Sequence, residues 1–271
     1  MFRQEIINEH ILRIIDAYGV CCYLVTGREK ALLLDTCTGI GNIREYVKSI
    51  NQKPLVTALT HGHFDHAGAA ALFEEVYLNP KDLWCYYEGE KDLKEMIYDA
   101  IKEKIPGFVR LPERTLPFTP MEDGHIFDLG DLHVRMIECP GHTQGMMLPL
   151  IVEDRILISG DGFGEGTILS FEESTTIEEF YHNLLQFKEK EEDRYDTVLR
   201  NHGTFRSDKE ILDENIRCCE LILSGRDDHQ KNHSGNNIYN AHAVNERNER
   251  LDGGHGNISY REDKIRIINE L

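Results

Sequence analysis

The 271-residue sequence contains no hydrophobic run that approaches the roughly 20 residues of a membrane-spanning helix. Its first residues, MFRQEIINEHILRI, lack the basic start, apolar middle and small-residue cleavage site of a secretory signal peptide. These absences predict a cytoplasmic protein that does not engage membranes. Basic residues are also scarce, with 30 Lys and Arg against 48 Asp and Glu. The resulting net charge of −18 disfavours nucleic acid as a partner.

The cysteines show neither the pattern of a disulfide framework nor a CxxC motif. Their number is odd, and four of them form two adjacent pairs. The sequence therefore predicts reduced thiols that pack as small hydrophobic side chains. The seven residues are Cys21, Cys22, Cys37, Cys85, Cys139, Cys218 and Cys219.

Apolar runs and turn signals predict strands and helices that alternate along most of the chain. Two β-prone runs on either side of residues 27–30 predict a hairpin. The other predicted strands lie at 54–60, 131–139, 145–153, 155–161 and 196–202, with a terminal strand or hairpin at 258–271. The predicted helices lie at 42–50, 65–75, 80–105, 176–190 and 207–225.

The domain organisation is predicted from shifts in composition along the chain. Residues 1–225 are expected to form one catalytic domain that carries an insertion of helix and loop at about 80–120. This insertion would form either a lid or wall of a substrate pocket, or a surface excursion without a direct role in substrate binding. The polar residues 226–271 are expected to form a C-terminal extension packed on the same domain.

The segment THGHFDHAG concentrates metal-binding residue types at the end of a predicted strand. His61, His63, Asp65 and His66 fall within six residues. His61 and His63 can point to the same side of an irregular turn, while Asp65 and His66 begin the next helix. Imidazole and carboxylate groups are ligands of zinc, iron and manganese. The segment therefore predicts a metal site.

Three further candidate ligands each follow directly after a predicted strand. His142 lies in CPGHT, Asp161 in SGDG and His202 in NHG. Side chains on loops at strand ends are held by a rigid scaffold, as a shared site requires. We therefore expect these three residues to belong to the same metal centre as the first cluster.

Together, HxHxDH, GHT, GD and a final His, in this order, resemble the motifs of the metallo-β-lactamase superfamily of hydrolases. The sequence GHTQG also resembles the GHTPG of its glyoxalase-II-like branch, with Gln144 in place of the usual Pro. The resemblance implies an α/β fold, the four-layer αβ/βα sandwich, with the active site at one edge of the sheets. It also implies that Asp35, in LLLDTCTG, supports the metal loop without binding metal.

The same resemblance implies two divalent metal ions, expected to be Zn²⁺, with iron and manganese as alternatives. Asp65 is the expected catalytic residue, because it could also accept a proton from water or deliver one to the leaving group. Asp161 would bridge the two ions. The ligands of one ion would be His61, His63 and His142, and those of the other Asp65, His66 and His202.

The implied reaction is cleavage of an ester, thioester or lactone of a small molecule by a hydroxide shared between two ions. Asp161 disfavours β-lactam hydrolysis, because β-lactamases of the superfamily usually carry Cys or Ser at or near this position. The extension beyond residue 225 is too short and polar to match the helical glutathione-binding domain of glyoxalase II. A homodimer is expected from the family alone.

Three alternative functions remain at this stage. One is an iron-dependent oxygenase of the persulfide-dioxygenase type, and another is a phosphodiesterase on a small substrate. The third, a binding module without catalysis, is disfavoured because all seven expected ligands are present.

Overall fold

The structure is a computed structural model that describes residues 2–89, 91–105, 108–232 and 234–267. The chain divides into two units, one formed by residues 1–137 and 151–153 and the other by residues 138–150 and 154–271. The described part of the C-terminal extension belongs to the second unit. The predicted domain boundary after residue 225 stays a prediction.

The first unit is built on a seven-stranded sheet in which the strands follow one another in chain order. Strands β1 to β4 pair antiparallel, and β4 to β7 pair parallel. All residues of β4 are buried, which explains why its sequence is continuously apolar. The strands are β1 (Arg3–Ile6), β2 (Ile11–Ile15), β3 (Cys21–Thr26), β4 (Ala31–Leu34), β5 (Leu55–Ala58), β6 (Tyr77–Leu78) and β7 (Thr119–Pro120).

The predicted hairpin is confirmed as the antiparallel pair β3–β4, whose turn is closed by a hydrogen bond from the Gly27 amide to the Lys30 carbonyl at 3.0 Å. Strands β1 and β2 were not predicted. The remaining elements of the first unit are α1 (Ile43–Ile50), α2 (Phe64–Ala67), α3 (Leu83–Glu88), α4 (Lys91–Lys104), and the hairpin of β8 (Ile126–Asp128) with β9 (His133–Glu138).

The helix predicted over 65–75 is wrong beyond Ala67. Helix α2 ends there because the next residue, Gly68, lies against the loop that follows β4. The Gly68 amide donates to the Cys37 carbonyl at 2.9 Å. A Cβ atom at Gly68 would lie 2.5 Å from the Thr38 carbonyl oxygen, so only glycine allows this approach. A short 3₁₀ turn, Ala70–Leu72, follows.

The second unit contains a sheet with the strand order β14-β13-β11-β10. Strand β13 pairs parallel to β11 and antiparallel to β14. The predicted strands at 145–153, 155–161 and 196–202 and the predicted helices at 176–190 and 207–225 are confirmed. The elements are β10 (Met147–Ile151), β11 (Ile156–Ile158), β13 (Thr197–Leu199), β14 (Arg206–Ser207), α5 (Ile177–Glu191) and α6 (Ile211–Leu223).

A further sheet joins the C-terminal extension to a strand of the second unit. Its strand order is β12-β17-β16-β15, and β12 pairs parallel to β17. Of the terminal strand or hairpin predicted over 258–271, the strand is confirmed as β17, whereas β12, β15 and β16, the antiparallel partner of β17, were not predicted. The strands are β12 (Thr167–Leu169), β15 (Gln230–Lys231), β16 (Ile238–Asn240) and β17 (Ile258–Arg261). Residues 233 and 268–271 of the extension lie outside the described residues.

The cysteines are all free and buried, as predicted. Burial raises the pKa of Cys139 and that of Cys218 to about 12. These two thiols are therefore protonated at neutral pH and do not act as nucleophiles. Among the helices of the described residues, none combines the length and hydrophobicity that crossing a membrane requires.

Helix α5 begins with a capping box. The Thr176 hydroxyl accepts the Glu179 amide at 3.2 Å, and the Glu179 carboxylate accepts the Thr176 amide at 2.9 Å. Buried residues then recur at helical spacing: Ile177, Phe180, Leu184 and Phe187. The cap and the apolar stripe together explain why a helix starts at this position.

Replacing Thr176 by Ala is expected to lower the free energy of unfolding by about 1 kcal/mol, because an amide at the helix start loses its acceptor. Urea denaturation followed by circular dichroism measures this change. Thr115→Ala, at an exposed position, is the matched control and should change stability by less than about 0.5 kcal/mol. Equal effects of the two substitutions would contradict the role of the cap.

Candidate metal centre

Asp35 organises the metal-binding half of the first unit from the end of β4. It is completely buried and has a φ of 69°, a left-handed conformation that aspartate tolerates better than most residues. Its carboxylate accepts the Thr60 amide at 2.7 Å, the Thr60 hydroxyl at 2.9 and 3.0 Å, and Nδ1 of His66 at 2.9 Å. The segment after β5 is therefore tied to the segment after β4 at the point where the histidines begin.

The contacts of Thr60 determine which nitrogen of His61 carries the proton. Because the Thr60 hydroxyl donates its hydrogen to Asp35, its oxygen accepts from Nδ1 of His61, 3.0 Å away. His61 therefore carries its proton on Nδ1 and presents the lone pair of Nε2. The ring is fully buried, so this orientation is held by the protein interior.

His61 and His63 present two ligand atoms to one point. Nε2 of His61 and Nδ1 of His63 lie 3.2 Å apart, with the two rings at an angle of 81°. Two nitrogens bound to one tetrahedral ion at 2.0–2.1 Å would be about 3.3 Å apart. The pair therefore has the spacing of two ligands of a single ion.

His66 and Asp65 form a second pair of candidate metal ligands, both on α2. His66 donates Nδ1–H to Asp35, which places the lone pair on Nε2, 3.7 Å from Oδ2 of Asp65. The His66 side chain is fully buried, whereas that of Asp65 is 21% exposed. Asp65 can therefore exchange protons with solvent more readily than its neighbours.

The segment at 80–120 packs directly on the metal-binding loop. The Asp82 carboxylate accepts the Gly62 amide at 3.0 Å. Phe64, within the motif, packs with Tyr98 and Ile101 of α4, and its ring lies 5.8 Å from that of Tyr98. These contacts place the insertion beside the motif. Residues 90, 106 and 107 of this segment lie outside the described residues.

His142 is the best supported candidate ligand of the second unit. Its Nδ1 donates to the Ile168 carbonyl at 2.7 Å, and its own carbonyl accepts the Ser174 hydroxyl at 2.8 Å. The side chain is 2% exposed, and its Nε2 faces Oδ2 of Asp161 at 3.7 Å. The preceding Gly141 packs flush against the Phe180 ring of α5, where a Cβ would lie only 2.4 Å from a ring carbon.

Asp161 lies between two histidines in the second unit. Nε2 of His202 is 3.4 Å from Oδ2 of Asp161, the same oxygen that faces His142. The side chain of His202 is 40% exposed, while that of Asp161 is 18% exposed. A carboxylate that faces two imidazoles can contribute to two ions at once, which fits the bridging role expected of it.

The predicted site residues thus fall into two clusters, one in each unit. Each cluster is held by groups that the sequence analysis did not single out, namely Thr60 and Asp82 in the first unit and the Ile168 carbonyl and Ser174 in the second. Thr60 adjoins the motif and could have been recognised as a hydroxyl beside a ligand. The members of the clusters are His61, His63, Asp65 and His66 in the first, and His142, Asp161 and His202 in the second.

The chemistry of these donors fits divalent metal ions. Four of the histidines are nearly or fully buried, and three of them have Nδ1 held by an acceptor, so that Nε2 is left for a ligand bond. Metal-binding histidines in proteins usually donate their second nitrogen to a carboxylate or carbonyl in this manner. Two carboxylates supply the negative charge.

Comparison with known proteins identifies the class to which this fold and site belong. The family model of the metallo-beta-lactamase superfamily matches residues 15–202. A solved metallo-beta-lactamase from Pontibacter korlensis matches with a TM-score of 0.59 at 15% identity, over 81% of this chain and 99% of that one. At this identity the likeness concerns the fold alone, and it confirms the α/β fold class that the sequence predicts.

Two relatives by sequence carry descriptions of activity. Acyl-coenzyme A thioesterase MBLAC2 of Homo sapiens is 25% identical over 167 residues, which are 55% of this chain and 60% of that protein. The probable polyketide biosynthesis zinc-dependent hydrolase BaeB of Bacillus velezensis is 24% identical over 214 residues, 72% of this chain and 86% of that protein. The match to the human thioesterase thus spans about 60% of its length.

The chain belongs to the metallo-β-lactamase superfamily, because the family model covers well over half of it. The predicted membership of this superfamily is confirmed.

Replacing Asp35 by Asn is expected to weaken metal binding about 10- to 100-fold, because His66 and Thr60 lose a charged acceptor. Competition with a chromophoric chelator for Zn²⁺ measures this loss. Asp99→Asn removes the same charge from an exposed position on α4 and should leave the affinity unchanged. A wild-type affinity in Asp35→Asn would show that the site does not depend on this carboxylate.

Proposed function

We propose that the protein is a dinuclear metal-dependent hydrolase that cleaves a thioester of a small molecule. The observation that carries the proposal is the intact set of seven donors, five imidazoles and two carboxylates, in two clusters with the spacing of metal ligands. In this proposal the two clusters share one site. His61, His63 and His142 hold one ion, Asp65, His66 and His202 hold the other, and Asp161 lies between them.

Zn²⁺ is the proposed metal. Imidazole and carboxylate donors suit zinc, and the relative BaeB is described as a zinc-dependent hydrolase. Iron and manganese accept the same donors. Metal analysis of the purified protein therefore forms part of the test.

When bound, two divalent ions supply a water with a pKa near neutrality and polarise the carbonyl under attack. The residues of the chain perform the remaining steps. Asp65, the partly exposed carboxylate beside His66, accepts at Oδ1 the proton that the attacking water loses, because its Oδ2 faces Nε2 of His66 and is the proposed metal ligand. It then returns this proton to the sulfur as the carbon–sulfur bond breaks. The products are a carboxylic acid and a thiol.

A thioester is the preferred substrate because the relative MBLAC2 is described as an acyl-coenzyme A thioesterase. An ester or a lactone presents the same carbonyl to the site and is the next choice. We further propose that the substrate is a small molecule and not a nucleic acid, since the net charge of −18 disfavours binding of a long phosphate backbone. A cytoplasmic location and a homodimer complete the proposal.

Replacing His61 by Ala is expected to remove at least one ion per chain and to lower thioester hydrolysis by several orders of magnitude, since His61 contributes a buried ligand. Plasma emission spectroscopy counts the metal, and a thiol-detecting reagent follows thioester cleavage. His182→Ala, an exposed histidine of α5, is the matched control and should retain metal and activity. Turnover that survives His61→Ala would mean that the assigned centre is not the active site.

The substrate class is tested with a panel that contains an acyl-coenzyme A, an acyl-glutathione, a lactone, a phosphodiester and a β-lactam. We expect the highest kcat/KM on one of the thioesters. One iron per chain together with oxygen uptake on a persulfide would instead support the oxygenase and overturn the proposed function. Preference for the phosphodiester would assign the protein to the phosphodiesterases.

A further inference from the structure

The C-terminal extension pairs with β12, the strand whose Ile168 carbonyl accepts a hydrogen bond from His142. Strand β17 pairs parallel with β12, with Ser259 opposite Ile168. The Ile168 carbonyl is the acceptor for Nδ1 of His142 at 2.7 Å. The position of this acceptor therefore depends on a strand that lies beyond the region matched by the family model, which ends at residue 202.

The loop after β12 supports His142 from a second side. The Ser174 hydroxyl donates to the His142 carbonyl at 2.8 Å, and the Thr175 amide donates to the Gly141 carbonyl at 2.9 Å. The ring of Phe171 packs edge-on against the imidazole, with 5.5 Å between the ring centres. Residues 171–175 thus contact both the side chain and the backbone of this candidate ligand.

Lys264, just after β17, holds this loop in place. Its ammonium donates to the carbonyls of Phe171 at 2.8 Å, Glu172 at 2.7 Å and Ser174 at 2.7 Å. An ammonium group has three hydrogens, so these three acceptors use all of them. Partial burial lowers the pKa of Lys264, and the nearby Glu172 carboxylate opposes this shift. Arg261 of β17 adds an ion pair with Glu172 at 3.1 Å.

We propose that Lys264 is a positioning residue for His142 and acts through the loop at 171–174. By gathering three carbonyls of this loop, it keeps Phe171 and Ser174 against His142 and holds Nδ1–H on the Ile168 carbonyl. This inference rests on the proposed metal site for the role of His142.

Replacing Lys264 by Met in the 271-residue chain removes the ammonium and retains much of the aliphatic stem. We expect the affinity for the Zn²⁺ ion that has His142 among its proposed ligands to fall about tenfold, in line with the loss of a group that orients a metal ligand. Chelator competition measures this affinity. Lys231→Met, at an exposed position on β15 of the same sheet, is the matched control and should bind Zn²⁺ as the unaltered chain does.

A second readout separates positioning from general stability. In the metal-free protein, long-range ¹H–¹⁵N spectra of histidine side chains report the tautomer of His142, whose signals are assigned by their loss in His142→Gln. We expect Nδ1–H in the unaltered chain and a mixture of tautomers in Lys264→Met. A purely structural role would lower the unfolding midpoint and leave this tautomer unchanged.

Lys264→Arg provides a variant that keeps the charge if Lys264→Met does not fold. A planar guanidinium cannot direct three hydrogens at converging carbonyls as an ammonium does, so the same changes in smaller degree are expected. The inference is overturned if a folded Lys264 variant keeps both the tautomer and the Zn²⁺ affinity. If the unaltered chain binds no Zn²⁺, the proposed function fails, and the tautomer still decides the positioning role.

Discussion

The hydrogen bonds accepted by the Asp35 carboxylate are the interaction on which the metal-binding half of the first unit depends. One carboxylate receives the His66 imidazole directly and the His61 imidazole through the Thr60 hydroxyl. Both rings are thereby held in the tautomer that leaves Nε2 for a ligand bond. Since the group is fully buried, its removal would leave buried polar groups without an acceptor as well as releasing the rings.

In the second unit, a neutral acceptor holds the imidazole of His142 with its proton on Nδ1. The Ile168 carbonyl receives Nδ1 of His142, in a position where the first unit uses a carboxylate. A charged acceptor raises the electron density of the imidazole more than a carbonyl does. We therefore expect His66 to be a stronger donor than His142. In the proposed site these two histidines belong to different ions, so the two ions would then differ in affinity.

The sequence predicts the candidate metal ligands better than the groups that orient those ligands. His61, His142 and Asp161 are recognisable because His and Asp are metal-binding residue types and each follows a predicted strand. The Ile168 carbonyl carries no such signal, since almost every residue has one. Nothing in the sequence distinguishes Lys264 from the other lysines. Only the fold brings it to the 171–174 loop, some 90 residues earlier in the chain.

The fold shows a similar division between local and long-range determinants. The β3–β4 hairpin and helix α5 follow from apolar patterns and from turn or cap residues close in sequence. Helix α2 stops early because its end meets a distant loop at Cys37, and helix propensity holds no information on that contact. The pairing of β12 with β17 joins two short strands far apart in the chain, and local patterns do not reveal their register.

The parallel pairing of β12 with β17 also gives the backbone of β12 its hydrogen-bond partners in the C-terminal extension. A chain shortened to the region matched by the family model would leave β12 with a row of unsatisfied amides and carbonyls. Exposed edges of this kind recruit strands from other molecules, which leads to aggregation. The same strand carries the Ile168 carbonyl that orients His142. Truncation would therefore couple poor solubility to a displaced His142, and the extension belongs in any expressed form of the protein.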